Sequence, residues 1–276
     1  MSAFYCIPAR RERPLEFHVI NCRVRRNPVS GRLDEWLWSA LDLLSPPDCA
    51  GCGRTGSPYC RDCLQRTELI QGEICSICGA PDSLPECAYC AGDPSEFDQA
   101  RAYAAYSLPF KSILLKLKYR PDASLAGFAA RLVSESARPI APAGGLIIPV
   151  PLSAQKQSAR GYNQAALVAR PLAALLGLQY FPSALRRVRE TRSQVGLGGD
   201  ERRQNLARAF RGEPGIVEGR QVLLVDDVFT TGATGNACAL ALKQAGAAGV
   251  SLFTLARALR HSSSVIDESA VWESRS

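Results

Sequence analysis

Two stretches of the chain carry residue types whose spacing could do chemistry. Eight of the eleven cysteines form four C-x2-C pairs, Cys49/Cys52, Cys60/Cys63, Cys75/Cys78 and Cys87/Cys90, separated by 7, 11 and 8 residues. A C-x2-C turn brings two thiolates to one point, and two such turns complete a tetrahedral zinc site with no open position for water. Eight ligands therefore predict two structural zinc ions. Sequential sharing, the first four cysteines and the last four, is favoured because the gaps of 7 and 8 residues suit a hairpin; an interleaved arrangement stays open. Gly53 and Gly79, each one residue after a pair, suit the tight turn of a knuckle. Residues 49–93 hold three arginines against six carboxylates, which is not the composition of a surface built to grip phosphates.

The second stretch is VLLVDDVFTTGAT, Val222 to Thr234. Four aliphatic residues bring the chain to the carboxyl edge of a parallel sheet, where the ligands of such folds bind. Asp226 and Asp227 stand at that edge. Thr230, Thr231, Gly232, Ala233 and Thr234 then form a turn that opens a helix, and free amides, hydroxyls and a glycine make a phosphate cradle there. The carboxylates cannot bind phosphate. They can accept hydrogen bonds from vicinal hydroxyls or act through Mg2+, so the two features together predict a sugar phosphate. The plainer reading is a strand capped by two exposed aspartates and followed by an N-capped helix.

The elements that must position these residues follow from periodicity. Strands are predicted at Ala100–Ser107, Gly145–Pro151, Arg220–Asp227 and Gly249–Arg257, and helices at Phe110–Tyr119, Ala123–Ser136, Asn163–Gly177 and Thr234–Ala247. Pro171 should kink or divide the third of these helices. Alternating strands and helices predict an α/β fold, a parallel sheet flanked by helices. Ahead of it, Trp36, Leu37, Ala40, Leu41 and Leu44 share one face of a short helix that Pro46-Pro47 stops. The expected organisation is a flexible basic leader over 1–32, this helix and the zinc module over 33–95, the α/β domain over 96–258, and a flexible polar tail over 259–276.

No apolar run approaches the ~18 residues of a membrane span, and no apolar core of ~7 to 15 residues near the start marks a secretory signal. A cytoplasmic protein without membrane contact is expected, and in a reducing compartment cysteines serve as metal ligands more readily than as disulfides. Cys238, among alanines, is expected in the core. The net charge of +7 is concentrated in two patches. Residues 1–32 hold seven arginines against Glu12 and Glu16, and residues 186–211 hold eight against Glu190, Asp200 and Glu201. The second patch predicts either a mobile hood over the substrate or a solvated face.

The stretch Val222–Thr234 resembles the thirteen-residue signature of the type I phosphoribosyltransferases. PVPLSAQKQSARGYNQA (Pro149–Ala165), LKLKY (Leu115–Tyr119) and TRSQVGLGGDERRQNLARAF (Thr191–Phe210) resemble elements of the ComF family, whose members carry a zinc ribbon before a transferase-like domain. The resemblance covers roughly residues 45 to 258. It implies that Asp226 and Asp227 hold the ribose hydroxyls of phosphoribosyl pyrophosphate with Mg2+, and that Thr230, Thr231, Gly232, Ala233 and Thr234 hold its 5′-phosphate. Lys156 and Arg160, with amides after Pro151, would hold the pyrophosphate. After P-V-P-L, where many relatives have arginines, SAQKQSAR offers only Lys156 and Arg160, and Thr230 stands where some purine-salvage transferases place an aspartate. The resemblance further implies single-stranded DNA and a competence helicase as partners, and either a phosphoribosyl transfer to a nitrogen acceptor or a non-catalytic role in DNA uptake with a sensory or vestigial pocket.

Overall fold

A computed structural model of the chain describes residues 46–81, 87, 89–90, 95–189 and 208–259. The basic leader, the helix at Trp36, most of the arginine segment (190–207) and most of the tail lie outside the described residues.

Among the described residues there are seven strands: β1 (Gln99–Ala105), β2 (Leu146–Pro149), β3 (Gln179–Tyr180), β4 (Leu185–Arg187), β5 (Phe210–Gly212), β6 (Gln221–Phe229) and β7 (Gly249–Arg257). Five of them form one sheet in the order β1-β7-β6-β2-β3 with every neighbouring pair parallel, and β4 and β5 pair antiparallel beside it. Val222, Leu223, Leu224 and Val225 of β6 are all buried, as a parallel sheet covered on both faces requires.

The α-helices among the described residues are α1 (Arg61–Gln65), α2 (Lys111–Tyr119), α3 (Ala123–Ala137), α4 (Ala154–Arg160), α5 (Gln164–Leu176), α6 (Pro214–Val217) and α7 (Ala233–Gln244). Leu223 and Val225 pack with Ile147 and Phe253 under α2, α3 and α5; Val222 and Leu224 pack with Ile148 and Leu252 under α7. Each such aliphatic side chain contributes about 1.5–3 kcal/mol when buried. Cys238 lies fully buried in the α7 layer.

The four helices expected in the α/β domain are present, with two differences. Helix α5 runs through Pro171 undivided; Asn163 caps its start by accepting from the Ala165 and Ala166 amides, and Gly177 ends it at φ 69°. Helix α4 was not expected. Ser153 accepts from the Lys156 amide at its start, and Gly161 closes it at φ 74°.

The connections locate the crevice. From β2 the chain passes through α4 and α5 to β3 on one side, and from β6 through α7 to β7 on the other. The paths diverge between β2 and β6, so their carboxyl ends bound the place where ligands of such sheets bind. Pairing of β2 with β6 stops at Pro149 opposite Val225, and Val150 adds one last amide bond to the Val225 carbonyl at 2.8 Å. Asp226 and Asp227 therefore run past β2 with that side of the strand open.

Candidate functional site

The eight cysteines gather into two groups, Cys49/Cys52/Cys60/Cys63 and Cys75/Cys78/Cys87/Cys90, each with its ligand atoms within 4.8 Å of one another. The sharing is sequential. Sulfur separations are 3.7 Å for Cys49–Cys63 and Cys52–Cys60, 3.8 Å for Cys75–Cys90 and 3.5 Å for Cys78–Cys87. A Zn–S bond of about 2.3 Å places tetrahedral ligands about 3.8 Å apart, so both groups fit the ion. Burial alone would raise the Cys49 thiol, but amide donation from Cys60, Cys52 and Gly51 outweighs it and brings the group down to about 6. Burial and the neighbouring sulfurs push Cys63 and Cys90 up. Four thiols forced together in this way are relieved by a bound cation.

The first group joins the core cluster under α2, α3 and α5, and the second joins the cluster under α7. Tyr59, between the first two pairs, meets Phe110 edge-on at 6.4 Å and shares a 2.6 Å hydrogen bond with Thr67. Lys116 donates to the Cys49 carbonyl at 3.4 Å, which turns it to the first knuckle. The second knuckle lies on β1: the Ala100 amide donates to the Ile77 carbonyl at 2.6 Å, and a Cβ on Gly79 would stand 2.5 Å from the Ala100 carbonyl oxygen. Tyr162 anchors its loop by donating to the Leu117 carbonyl at 3.0 Å.

At the sheet edge, strand alternation sends the adjacent carboxylates to opposite faces. Asp226 follows Val222 and Leu224 to the α7 face; Asp227 follows Leu223 and Val225 to the α5 face. Gln164, the first residue of α5, donates to Asp227 Oδ2 at 2.9 Å and accepts from Arg160 Nη1 at 3.0 Å. Arg160 thus reaches Asp227 through one intervening side chain. Burial, and then the charge of Asp227, push the Asp226 carboxyl well above its ordinary range, and the Lys156 ammonium partly offsets them. Both basic residues expected to face the pyrophosphate lie on α4 and bear on this pair.

The turn follows directly. Thr230 and Thr231 are exposed, and Gly232 is the left-handed N-cap of α7 at φ 80°. A Cβ there would stand 2.8 Å from the Phe229 ring, so the turn needs glycine for both conformation and space. No side chain caps α7 at Gly232; the Ala233 amide makes one long contact, 3.4 Å, to Thr231 Oγ1. A cavity of about 20 Å3 is lined by Asp226, Phe229, Thr230, Gly232, Thr234 and Thr254. Thr254, opposite Asp226 in the sheet, has a buried hydroxyl without a partner. A wider cavity of about 340 Å3 lies at the end of β2, bounded by Pro151, Gln157, Asn163, Arg186 and Arg187. One of the two expected carboxylates, Asp226, shares the small cavity with the turn; Asp227 does not line it.

Sequence reasoning missed Gln164, Thr254 and Arg257. Gln164 stands inside the R-G-Y-N-Q-A element, but nothing in its spacing points to Asp227. Ser153 and Gly161, a cap pair eight residues apart, could have revealed α4. Among the described residues no helix is long and apolar enough to cross a membrane.

Residues 40–92 match the double zinc ribbon domain. The chain is 33% identical over 193 residues to the DNA utilization protein YhgH of Salmonella typhimurium, a match covering 67% of this chain and 85% of that protein. It is 30% identical to the competence protein ComFC of Bacillus subtilis over 229 residues, 80% of this chain and 89% of that protein. Among solved structures, the allosteric regulatory enzyme of purine biosynthesis overlaps 51% of this chain and 29% of its own, at 23% identity and a TM-score of 0.36. An adenine phosphoribosyltransferase overlaps 53% and 75% at 18% identity and a TM-score of 0.32. Two cysteine knuckles lead into a helix-flanked parallel sheet, and relatives at this identity match across most of their own length: the chain belongs to the ComF family.

Proposed function

We propose that the carboxyl edge of β6 binds phosphoribosyl pyrophosphate with Mg2+ and transfers its phosphoribosyl group to a nitrogen acceptor. The observation that carries this reading is the shared cavity of Asp226 with Thr230, Gly232 and Thr234. Around it, the exposed Thr230 and Thr231 and a helix start without a side-chain cap suit a phosphate, and the carboxylate of Asp226 suits a diol. The unfavourable crowding of Asp226 and Asp227 is the kind that a cation or a pair of hydroxyl donors relieves.

In this reading Thr230, Thr231, Gly232, Ala233 and Thr234 hold the 5′-phosphate, and Asp226 accepts from the ribose hydroxyls. Asp227, held by Gln164, helps to place the metal. Lys156, Arg160 and the backbone after Pro151 hold the pyrophosphate. Mg2+ supplies neutralising charge to the pyrophosphate oxygens. The acceptor nitrogen forms a bond to ribose C1 as the bond from C1 to the pyrophosphate oxygen breaks; the acceptor loses a proton and pyrophosphate leaves with the bonding pair. The protein's contribution is positioning and charge management.

Calorimetric titration of the zinc-loaded protein with phosphoribosyl pyrophosphate tests binding, with saturable heat expected with Mg2+ and much less without it. Pyrophosphate release with a panel of amines and nucleobases tests transfer, and Asp227→Asn should abolish release while leaving phosphate binding measurable. Binding without release from any acceptor removes transfer and leaves a ligand-sensing pocket.

A second reading is favoured by the paired strands β4 and β5, where Arg186 and Arg211 stand opposite each other and are both exposed. Like charges opposite one another are unfavourable in a sheet and are eased by a polyanion. The matched relatives are named for DNA utilization and competence, and single-stranded DNA is the polyanion this reading assigns. Its affinity should fall steeply with salt and weaken in Arg186→Ala/Arg211→Ala; binding indifferent to salt would exclude it.

A further inference from the structure

Arg257, the last residue of β7, is a cation with 1% of its surface exposed. Among the described residues no carboxylate pairs with it. Its Nη1 donates to the Cys78 carbonyl at 2.6 Å, and its Nη2 lies 3.7 Å from the Cys78 sulfur. The guanidinium also lies over the rings of Tyr89, at 4.7 Å, and Phe229, at 4.1 Å. Its Nε is buried without a partner. A buried cation is costly unless an opposite charge compensates it. Beside Cys78, among the described residues, the cysteine group supplies that charge, because four thiolates around one zinc ion carry a net double negative charge.

Phe229 extends this chain of contacts to the proposed phosphate turn. It sits opposite Arg257 in the sheet, its carbonyl accepts from the Ala258 amide at 2.8 Å, and its ring fills the space that a Cβ on Gly232 would need. A continuous path therefore runs from the second cysteine group through Cys78, Arg257 and Phe229 to Gly232. The first group meets the core elsewhere, through Tyr59, Phe110 and Lys116.

We propose that Arg257 is a positioning residue that makes the shape of the Thr230–Thr234 turn depend on zinc in the second cysteine group. Only the affinity consequence rests on the sugar-phosphate reading above. With zinc present, the anionic group holds the guanidinium flat against Phe229, and Phe229 props Gly232 in its left-handed conformation. When zinc leaves, the knuckle that holds Cys78 in place is released, Arg257 loses its Cys78 carbonyl and sulfur partners, and Phe229 loses its support.

The test is amide hydrogen exchange of the full-length, zinc-loaded protein during graded chelation, with thiol alkylation mapped by mass to show which group has lost its ion. Exchange across 226–235 should rise at least ~5-fold, the low end of ordinary coupling between sites, in step with alkylation of Cys75, Cys78, Cys87 and Cys90. It should not follow alkylation of the first group. In Arg257→Met the same segment should exchange fast with both ions bound and respond no further to chelation. Should that variant fail to fold, Arg257→Lys decides: intermediate exchange supports the coupling, and wild-type exchange overturns it. A turn indifferent to the second zinc also overturns it.

Titration with phosphoribosyl pyrophosphate and Mg2+ forms a separate arm, in which affinity should drop ~5-fold or more on loss of the second ion. A turn that follows zinc in a protein that binds no sugar phosphate keeps the coupling and removes the ligand reading. Tight binding unaffected by zinc does the reverse.

Discussion

The cysteine knuckles and the carboxyl edge of β6 pack against the same sheet, yet they treat their polar atoms in opposite ways. In the knuckles each sulfur faces three others at ligand distance, amides donate to Cys49, and Lys116 and Arg257 occupy backbone carbonyls. At the edge, Asp226 is crowded by its neighbour, the Thr254 hydroxyl is buried without a partner, and α7 begins without a side-chain cap. The knuckles are complete once two ions are added. Among the described residues the edge stays incomplete, and the proposed ligand would supply what is missing there.

Removing zinc should break the comparison most severely. Structural zinc contributes on the order of 10 kcal/mol or more in small zinc peptides, and Cys49 and Cys63 here belong to the same cluster as Phe110, Leu117 and Phe253. Thermal unfolding after chelation should lose its cooperative transition or fall by tens of degrees. A melting temperature unchanged by chelation would mean that the cysteines hold nothing.

Next in size is Gly232→Ala. The φ of 80° and the Phe229 ring both oppose a side chain, at a cost of about 1–3 kcal/mol for the strained conformation. Binding of phosphoribosyl pyrophosphate should become undetectable by calorimetry while the protein remains folded. Unchanged affinity would show that the turn is not the phosphate cradle. Gln164→Leu should weaken binding by roughly 10-fold, since a hydrogen bond to a charged group contributes about 1.5–3 kcal/mol and Asp227 would lose its link to Arg160. Equal affinity in the variant would show that Asp227 plays no part in binding.

The smallest effect has the opposite sign. The folded-state pKa of Asp226 is raised, so below the ordinary value of 3.8 the folded and unfolded chains are both protonated and no penalty exists. As pH rises, the unfolded chain ionises first, and stability is lost until the folded group also ionises. Asp226→Asn removes this loss. The ligand-free variant should melt a few degrees above the parent at neutral pH, with ~2–4 °C expected per kcal/mol for a domain of this size, and the gap should narrow toward acid. A lower melting temperature at neutral pH would contradict the burial argument.

The contrast also explains which parts were legible in the sequence. C-x2-C spacing is fixed by tetrahedral geometry, and a buried parallel strand must be aliphatic on both faces, so both could be read from order alone. The sheet, its flanking helices and the position of Asp226 before the threonine turn follow from the same regularities. Gln164 could not be read: it meets Asp227 across 63 residues, and no period links a helix N-terminus to a strand end. Arg257 was hidden for a related reason. A basic residue closing the last strand ordinarily reaches solvent, and its burial arises only because Cys78, Tyr89 and Phe229 converge on it in the folded chain. The separation of Asp226 from Asp227 was implicit in strand alternation, yet the resemblance treats the pair as a unit.

A crystal of the zinc-loaded protein soaked with phosphoribosyl pyrophosphate and Mg2+ tests the central claim most directly. The 5′-phosphoryl group should lie against the amides at the start of α7, beside Thr230 and Thr234, with the ribose hydroxyls within hydrogen-bond distance of Asp226. Sugar density elsewhere on the protein, or none at this edge despite saturating ligand, would contradict the account.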